Sequence, residues 1–351
     1  MDAVNKLQKA YIISHSSMDL VSVLSFYERY KNSHEVTILI SSTAENYQFL
    51  QSVNIPERSL KYIHFASNHN KNKKNLINLI HQLSSEKKQL DKIIAEISAD
   101  PKTVLYFHSY DNDPQCGYLV AQIAQTNQVT LVDILGIKAG LLSAYRLLTV
   151  AGIKTFVMYA IFSFIFGRHF VLTGTRSLPM ISLNLRKLNI AAIKREDVVL
   201  SNEIVKYKYP IVDKGVNVVF NYVNPFGVRE KEYLEVYAKV VKCLKHNKYN
   251  LLIKVHPQGT FHAFPDNQNF VVIPKYIPFE LVDLTNVSMV VGIYGASLLC
   301  TGSLPTVSII KMLYQEESDL YLSQMNQLSF NKSILFVDTI DELETIIRNL
   351  G

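Results

Sequence analysis

Short, continuously apolar runs alternate with amphipathic stretches along most of this chain. Residues 10–13 (AYII) are followed by the polar Ser14-His15-Ser16-Ser17 and then by apolar positions at Leu20, Val21, Leu24, Phe26 and Tyr27. That order predicts a strand, a turn and a helix. Further strands are predicted over residues 35–40 (EVTILI), 61–65, 103–108 (TVLYFH) and 129–132, with helical stretches between them. Strands that are apolar throughout and alternate with helices belong to a parallel sheet covered on both faces.

The pattern breaks over residues 198–215, where a polar, Pro-containing stretch reads as a linker, and then restarts. Strands are predicted at 217–220, 251–255, 270–273, 289–292, 307–310 and 334–337, and helices at 230–243, 278–284, 294–299 and 341–349. Two doubly wound α/β domains follow, residues 1–205 and 206–351, with the last helix free to pack back on the first. Length agrees: 351 residues exceed what one hydrophobic core usually fills. With 48% apolar and 19% charged residues, disorder and coiled coil are excluded. Cys116, Cys243 and Cys300 are too few and too scattered for a disulfide framework or a zinc cluster. The net charge of +6 suits a phosphorylated ligand or an anionic membrane and is too weak for a dedicated nucleic-acid protein. The first residues lack a basic segment followed by a long apolar run, so no secretory signal is expected, and a cytoplasmic protein is.

There is no Trp, but there are 20 Tyr and 17 Phe, and several of them gather in residues 141–170. Within that stretch, 155–166 (TFVMYAIFSFIF) carries no charge and lies between Lys154 and Arg168. It is shorter than the ~20 residues that span a bilayer. Two readings stand: a buried core helix, or a peripheral contact with the inner face of the cell membrane, with Lys138, Arg146, Lys154 and Arg168 near anionic headgroups.

Candidate chemistry concentrates in the second half. Residues 252–257 (LIKVHP) form a strand ending in His256-Pro257, and a histidine at the carboxyl end of a parallel strand faces the crevice where ligands bind. Protonated, it can hydrogen-bond a phosphate and stabilise it on departure. About twenty residues on, Tyr276-Ile277-Pro278-Phe279-Glu280 places a carboxylate at a predicted helix start, where it can accept ribose hydroxyls. Then Gly292-Ile293-Tyr294-Gly295-Ala296-Ser297 runs from strand through a Gly turn into a helix whose first amides, with Ser297, can hold a phosphate. No Gly-Lys-Ser/Thr follows, so this is not a P-loop.

In order and spacing these three motifs resemble those of the bacterial GT-B sialyltransferases, the lipooligosaccharide sialyltransferase and capsular polysialyltransferase group. The resemblance is best from about 217 to 308. It implies two Rossmann-like domains facing each other across a cleft, with His256 and Pro257 on the CMP phosphate, Glu280 on the ribose, and Gly295 and Ser297 at a further phosphate contact. It also implies no cofactor, a CMP-sugar donor as substrate, and a glycan or glycolipid acceptor in lipooligosaccharide or capsule. The general base in that group sits in an acidic pair followed by Gly. Here Leu131-Val132-Asp133-Ile134-Leu135-Gly136 has one carboxylate and a displaced Gly, leaving Asp133 as the candidate.

Asp111-Asn112-Asp113 competes with it, as alternative base or acceptor contact, and has the spacing of a divalent-metal motif, although Asp113-Pro114 also reads as a turn. No metal is expected. Ser14 and His15, after the first strand, are placed at the acceptor. The expected activity is inverting transfer of sialic acid or a related nonulosonic acid to a hydroxyl of a cell-surface glycan. The alternatives are a CMP-Kdo, UDP-sugar or CDP-glycerol donor, the last because wall-polymer glycerophosphotransferases also carry Lys-x-His-Pro, or a non-catalytic glycan-binding homologue.

Overall fold

The computed structural model describes residues 7–14, 19–41, 44–63, 76–108, 114–133, 161, 164–166, 190–194, 201–211, 215–225, 228–246, 249–256, 259–262, 270–299, 301–314 and 334–350. The chain divides into two compact units, Met1–Val205 and Lys206–Gly351.

Among the described residues, the N-terminal unit holds six parallel strands: β1 (Gln8–Ser14), β2 (His34–Ile40), β3 (Leu60–Tyr62), β4 (Val104–His108), β5 (Val129–Asp133) and β6 (Ile190–Lys194). Their order is β3-β2-β1-β4-β5-β6. Residues 10–14 of β1 are buried without alternation, as expected for a strand covered on both faces. Helix α1 (Leu20–Tyr30) is buried from Leu20 to Glu28, and Ser25 returns its hydroxyl to the Val21 carbonyl at 2.9 Å instead of leaving it unpaired. After α2 (Ala44–Ser52), helix α3 (Leu76–Ser98) buries Leu79, Leu83, Leu90, Ile93 and Ile97 along one stripe and packs on α4 (Pro114–Ile123). Tyr118 of α4 donates to Asp91 of α3 at 2.6 Å, and Lys87 pairs with the same carboxylate at 2.7 Å.

The C-terminal unit repeats the plan with β7 (Asn217–Tyr222), β8 (Asn250–Val255), β9 (Val271–Ile273), β10 (Val287–Gly292), β11 (Thr306–Ser308) and β12 (Ile334–Phe336). Read from β9, its order is β9-β8-β7-β10-β11-β12, the same as in the first unit. In both, the strand order reverses between the first and fourth strands, which is where an open α/β sheet leaves a crevice for ligands. Helix α5 (Glu230–His246) covers one face with Tyr233, Tyr237, Val240, Val241 and Leu244, and carries Glu230 and Glu232 in its first turn and Lys245 and His246 in its last, as the helix dipole favours. Helix α6 (Ile340–Leu350) sets Leu343 and Ile347 into this same C-terminal core beside α5, so its buried face belongs to the second unit.

The structure differs from the sequence pattern at one predicted helix and at one strand that the pattern does not predict. Residues 278–284 do not form an α-helix: Phe279–Leu281 make one 3-10 turn, and Val282 then runs extended in a bridge to Tyr209. Residues 277–279 and 281–282 are all buried and only Glu280 is partly exposed, a pattern without the one-sided period of an amphipathic surface helix. The second is β6, which the sequence pattern does not predict. Its sequence, IAAIK, is short and Ala-rich, and it lies at the sheet edge, where one paired neighbour suffices.

Of the aromatic stretch, Ile161 and 164–166 fall among the described residues. Phe166 is 2% exposed and stands 5.2 Å from the Tyr118 ring in the N-terminal core, whereas Phe164 is 86% exposed. Among the described residues no helix is long and apolar enough to cross a membrane.

Candidate functional site

The site is built on the carboxyl ends of β7, β8 and β10. Along β7, Val218, Phe220 and Tyr222 enter the core under α5; along β8, Leu251, Ile253 and Val255 do the same. The alternation of a strand therefore sends Asn221 and Lys254 to the opposite face. Register pairs Asn221 with Lys254 on one side and with Gly292 of β10 on the other. Gly292, Asn221 and Lys254 thus form a row across three adjacent strands, one residue short of the ends of β7 and β8. A Cβ at Gly292 would meet the Asn221 Cβ and the Leu298 Cδ2, each at 3.1 Å, so a side chain there would have to push these neighbours aside by a few tenths of an ångström.

Beyond Gly292 the chain turns through Gly295, whose φ of 113° lies in the region that side chains disfavour, with nothing within 4 Å of where a Cβ would be. Glycine is there for the backbone conformation. The helical turn Ala296–Leu299 follows, and Ser297 accepts a hydrogen bond on its hydroxyl oxygen from the Asn221 amide. Four residues make too short a helix for a macrodipole, so any phosphate held here is held by individual amides and the Ser297 hydroxyl.

His256 is the first residue after β8. Its backbone amide donates to the Tyr222 carbonyl at 2.9 Å and its carbonyl accepts from Gly259 at 2.8 Å, which fixes the turn. Asn224 ties this turn to the end of β7, accepting from the Thr260 amide at 3.1 Å and donating to the Tyr233 hydroxyl at 2.8 Å. His256 is an exposed residue, yet the pKa of its imidazole lies below the usual value, first through partial desolvation and then through the ammonium groups of Lys254 and Lys275. His256 is therefore mainly neutral at pH 7 until an anion arrives. Pro257 lies outside the described residues.

Lys254 is 2% exposed. Its ammonium donates to the Val255 carbonyl at 2.7 Å and to the Lys275 carbonyl at 3.4 Å. Burial pushes its pKa down to about 8, the Glu280 carboxylate acting in the opposite direction and Lys275 in the same one. Glu280 itself sits half-buried between two buried anchors, Phe279 and Leu281. The strip is held to the start of the unit by Tyr209, which donates to the Leu281 carbonyl at 2.7 Å and accepts from Asp283 at 2.8 Å.

Three of the sequence candidates, His256, Glu280 and Ser297, thus stand with Gly295 around the ends of one sheet. In the N-terminal unit, Asp133 is the last residue of β5, in register with Lys194 of β6. Ser14 ends β1 fully buried, its hydroxyl accepting from Asn46 at 3.3 Å and donating to Asp19 at 3.4 Å, while Cys116 donates to the Ser41 hydroxyl at 3.1 Å. His15, Asp111 and Asp113 lie outside the described residues. Sequence reasoning missed Asn221 and Asn224, and gave no role to Lys254 although it is the lysine of the Lys-x-His-Pro motif. A signal for two of them existed, because an Asn in VVFNY and a Lys in LLIKV are polar residues in strands otherwise apolar throughout.

No family model and no curated protein sequence matches the chain. Solved structures do. The UDP-GlcNAc 2-epimerase from Methanocaldococcus jannaschii aligns with a TM-score of 0.51 at 11% identity, over 97% of this chain and 92% of that one. The fold is GT-B. Two Rossmann-like units with the same strand order agree with that assignment. Other GT-B likenesses are CalG4, the calicheamicin glycosyltransferase (TM-score 0.47, 11% identity, 99% and 90% of the two chains), and E. coli heptosyltransferase WaaC with ADP (0.45, 10%, 98% and 100%).

Proposed function

We propose that this chain is a glycosyltransferase that takes its sugar from a nucleotide-activated donor and holds the nucleotide on the C-terminal unit. The observation that carries this reading is the convergence of His256, Gly295 and Ser297 at the ends of β8 and β10, with Glu280 on the strip after β9. His256 and Ser297, with the amides near Gly295, are assigned to the phosphate, and Glu280 to the ribose hydroxyls.

In the proposed reaction Asp133 takes the proton of the acceptor hydroxyl, whose oxygen attacks the anomeric carbon with inversion. The bond from that carbon to the phosphate oxygen breaks, its electron pair leaving on the nucleotide. Charge develops on the phosphate oxygens at that moment, and the N–H of a neutral imidazole can donate a hydrogen bond to them, which makes it a stabiliser of the departing group. No resident cofactor enters this scheme.

Two donor classes follow from two separate observations. A UDP-linked sugar is favoured by the fold likeness to an enzyme named for UDP-GlcNAc. A CMP-linked nonulosonic acid is favoured by the motif order from His256 to Ser297. The acceptor is assigned as a glycan or glycolipid, with Phe164 offered as a membrane contact.

Calorimetric titration of the full chain with UMP, UDP, CMP and CDP, with and without EDTA, decides among them. We expect one nucleoside family to bind, and His256→Ala to weaken that binding by about tenfold, the value of one charge-assisted hydrogen bond. If none of the four binds, the assignment is wrong. EDTA sensitivity would bring Asp111 and Asp113 in as metal ligands with a diphosphate donor. Binding without turnover in any donor and acceptor mixture would leave a glycan- or nucleotide-binding homologue.

A further inference from the structure

The mechanism above leaves Lys254 unused, although it is a buried ammonium at the end of the strand that leads into His256. Burying a charged group costs several kcal/mol unless it is hydrogen-bonded or paired, so its position calls for a reason. Its contacts supply one. The ammonium bridges two backbone carbonyls on different segments, Val255 at the end of β8 and Lys275 in the turn after β9. The first segment continues into His256, and the second leads within five residues to Glu280. The Glu280 carboxylate is also close enough to favour the charged form of Lys254, and Lys254 in turn disfavours a proton on His256.

We propose that Lys254 is a positioning residue for the donor nucleotide: its ammonium staples the β8 end to the turn after β9, setting the spacing between the phosphate-binding His256 and the ribose-binding Glu280, and supplies positive charge behind the phosphate. This rests on the nucleotide-donor reading of the site. It goes beyond it in assigning a role to a residue that touches neither phosphate nor ribose. A neutral side chain of equal length would leave both carbonyls without their donor and would remove the charge that favours an anion.

The groups facing Lys254 are Glu280, Lys275 and His256. His256 is already neutral by pH 7, because its value is lowered, so between pH 7 and 9.5 the proton on Lys254 is the one that changes first. The test is calorimetric titration of the full chain with whichever of UMP, UDP, CMP or CDP binds best, at half-unit steps from pH 7 to 9.5. Wild-type affinity should fall by about tenfold across this range. Lys254→Arg, permanently charged, should flatten the dependence, and Lys254→Met should be weak at pH 7 and flat. Glu280→Gln should move the midpoint of the curve to lower pH, since the carboxylate that favours the ammonium is gone. This last variant serves if Lys254→Met fails to fold.

A Lys254→Met protein that unfolds cooperatively and keeps wild-type affinity and slope would overturn the proposal while leaving the nucleotide reading intact. So would a Lys275→Met variant that abolishes the slope by itself. If wild type binds none of the four nucleotides, the functional reading fails first and this inference falls with it.

Discussion

An ammonium on a buried strand lowers stability wherever it must stay protonated, and Lys254 makes that cost measurable. Its folded-state pKa of about 8 lies below its ordinary 10.5, so between these values the unfolded chain binds the proton and the folded chain does not. Stability must therefore rise as pH increases through the window from about 8 to 10, and the cost below it amounts to roughly 3 kcal/mol. Urea unfolding of wild type against Lys254→Met checks this: the difference between the two should shrink or reverse in favour of wild type as pH rises from 7.5 to 9.5. A pH-independent difference would mean that the ammonium is not desolvated. The comparison must stay below pH 10, because buried tyrosines such as Tyr11 and Tyr222, held above their usual value by burial, then begin to work in the opposite direction. Such a residue was visible in the sequence as a Lys inside LLIKV. Its partners were not, since the Lys275 carbonyl comes from a turn twenty-one residues away.

At the scale of elements, the strands at the centre of each sheet were legible because burial on both faces demands continuous apolar runs. The edge strand β6 was not, because an edge needs less burial, and the strip over 278–284 was misread as helix because Pro278 and Glu280 have the signature of a helix start. The aromatic stretch 155–166 is a third case, where composition gave two readings. The described part contains both kinds of position, a core Phe166 and an exposed Phe164. Phe166→Ala should cost about 3–5 kcal/mol in urea unfolding, by removing a packed ring. Phe164→Ser should leave stability within about 0.5 kcal/mol and weaken co-sedimentation with phosphatidylserine vesicles severalfold. Unchanged co-sedimentation would remove the membrane role of Phe164.

At the scale of the whole molecule, each unit has its own core, one gathered under α3 and α4 and one under α5 and α6. A fragment of residues 206–351 should therefore unfold cooperatively and bind the same nucleotide as the full chain within about threefold in calorimetry. A fragment of residues 1–205 should bind none. Loss of binding in the folded C-terminal fragment would place part of the nucleotide site elsewhere. The sequence alone determined the alternation of strand and helix, two α/β domains, and the order His256, Glu280, Ser297, because apolar periodicity and motif spacing are local properties of the chain. Only the tertiary structure decided that these residues share one edge of one sheet, and that Asn221 and Lys254 lie beside them. Strand register brings Gly292, Asn221 and Lys254 into a single row, and register arises from pairing between strands far apart in sequence, which no local pattern encodes.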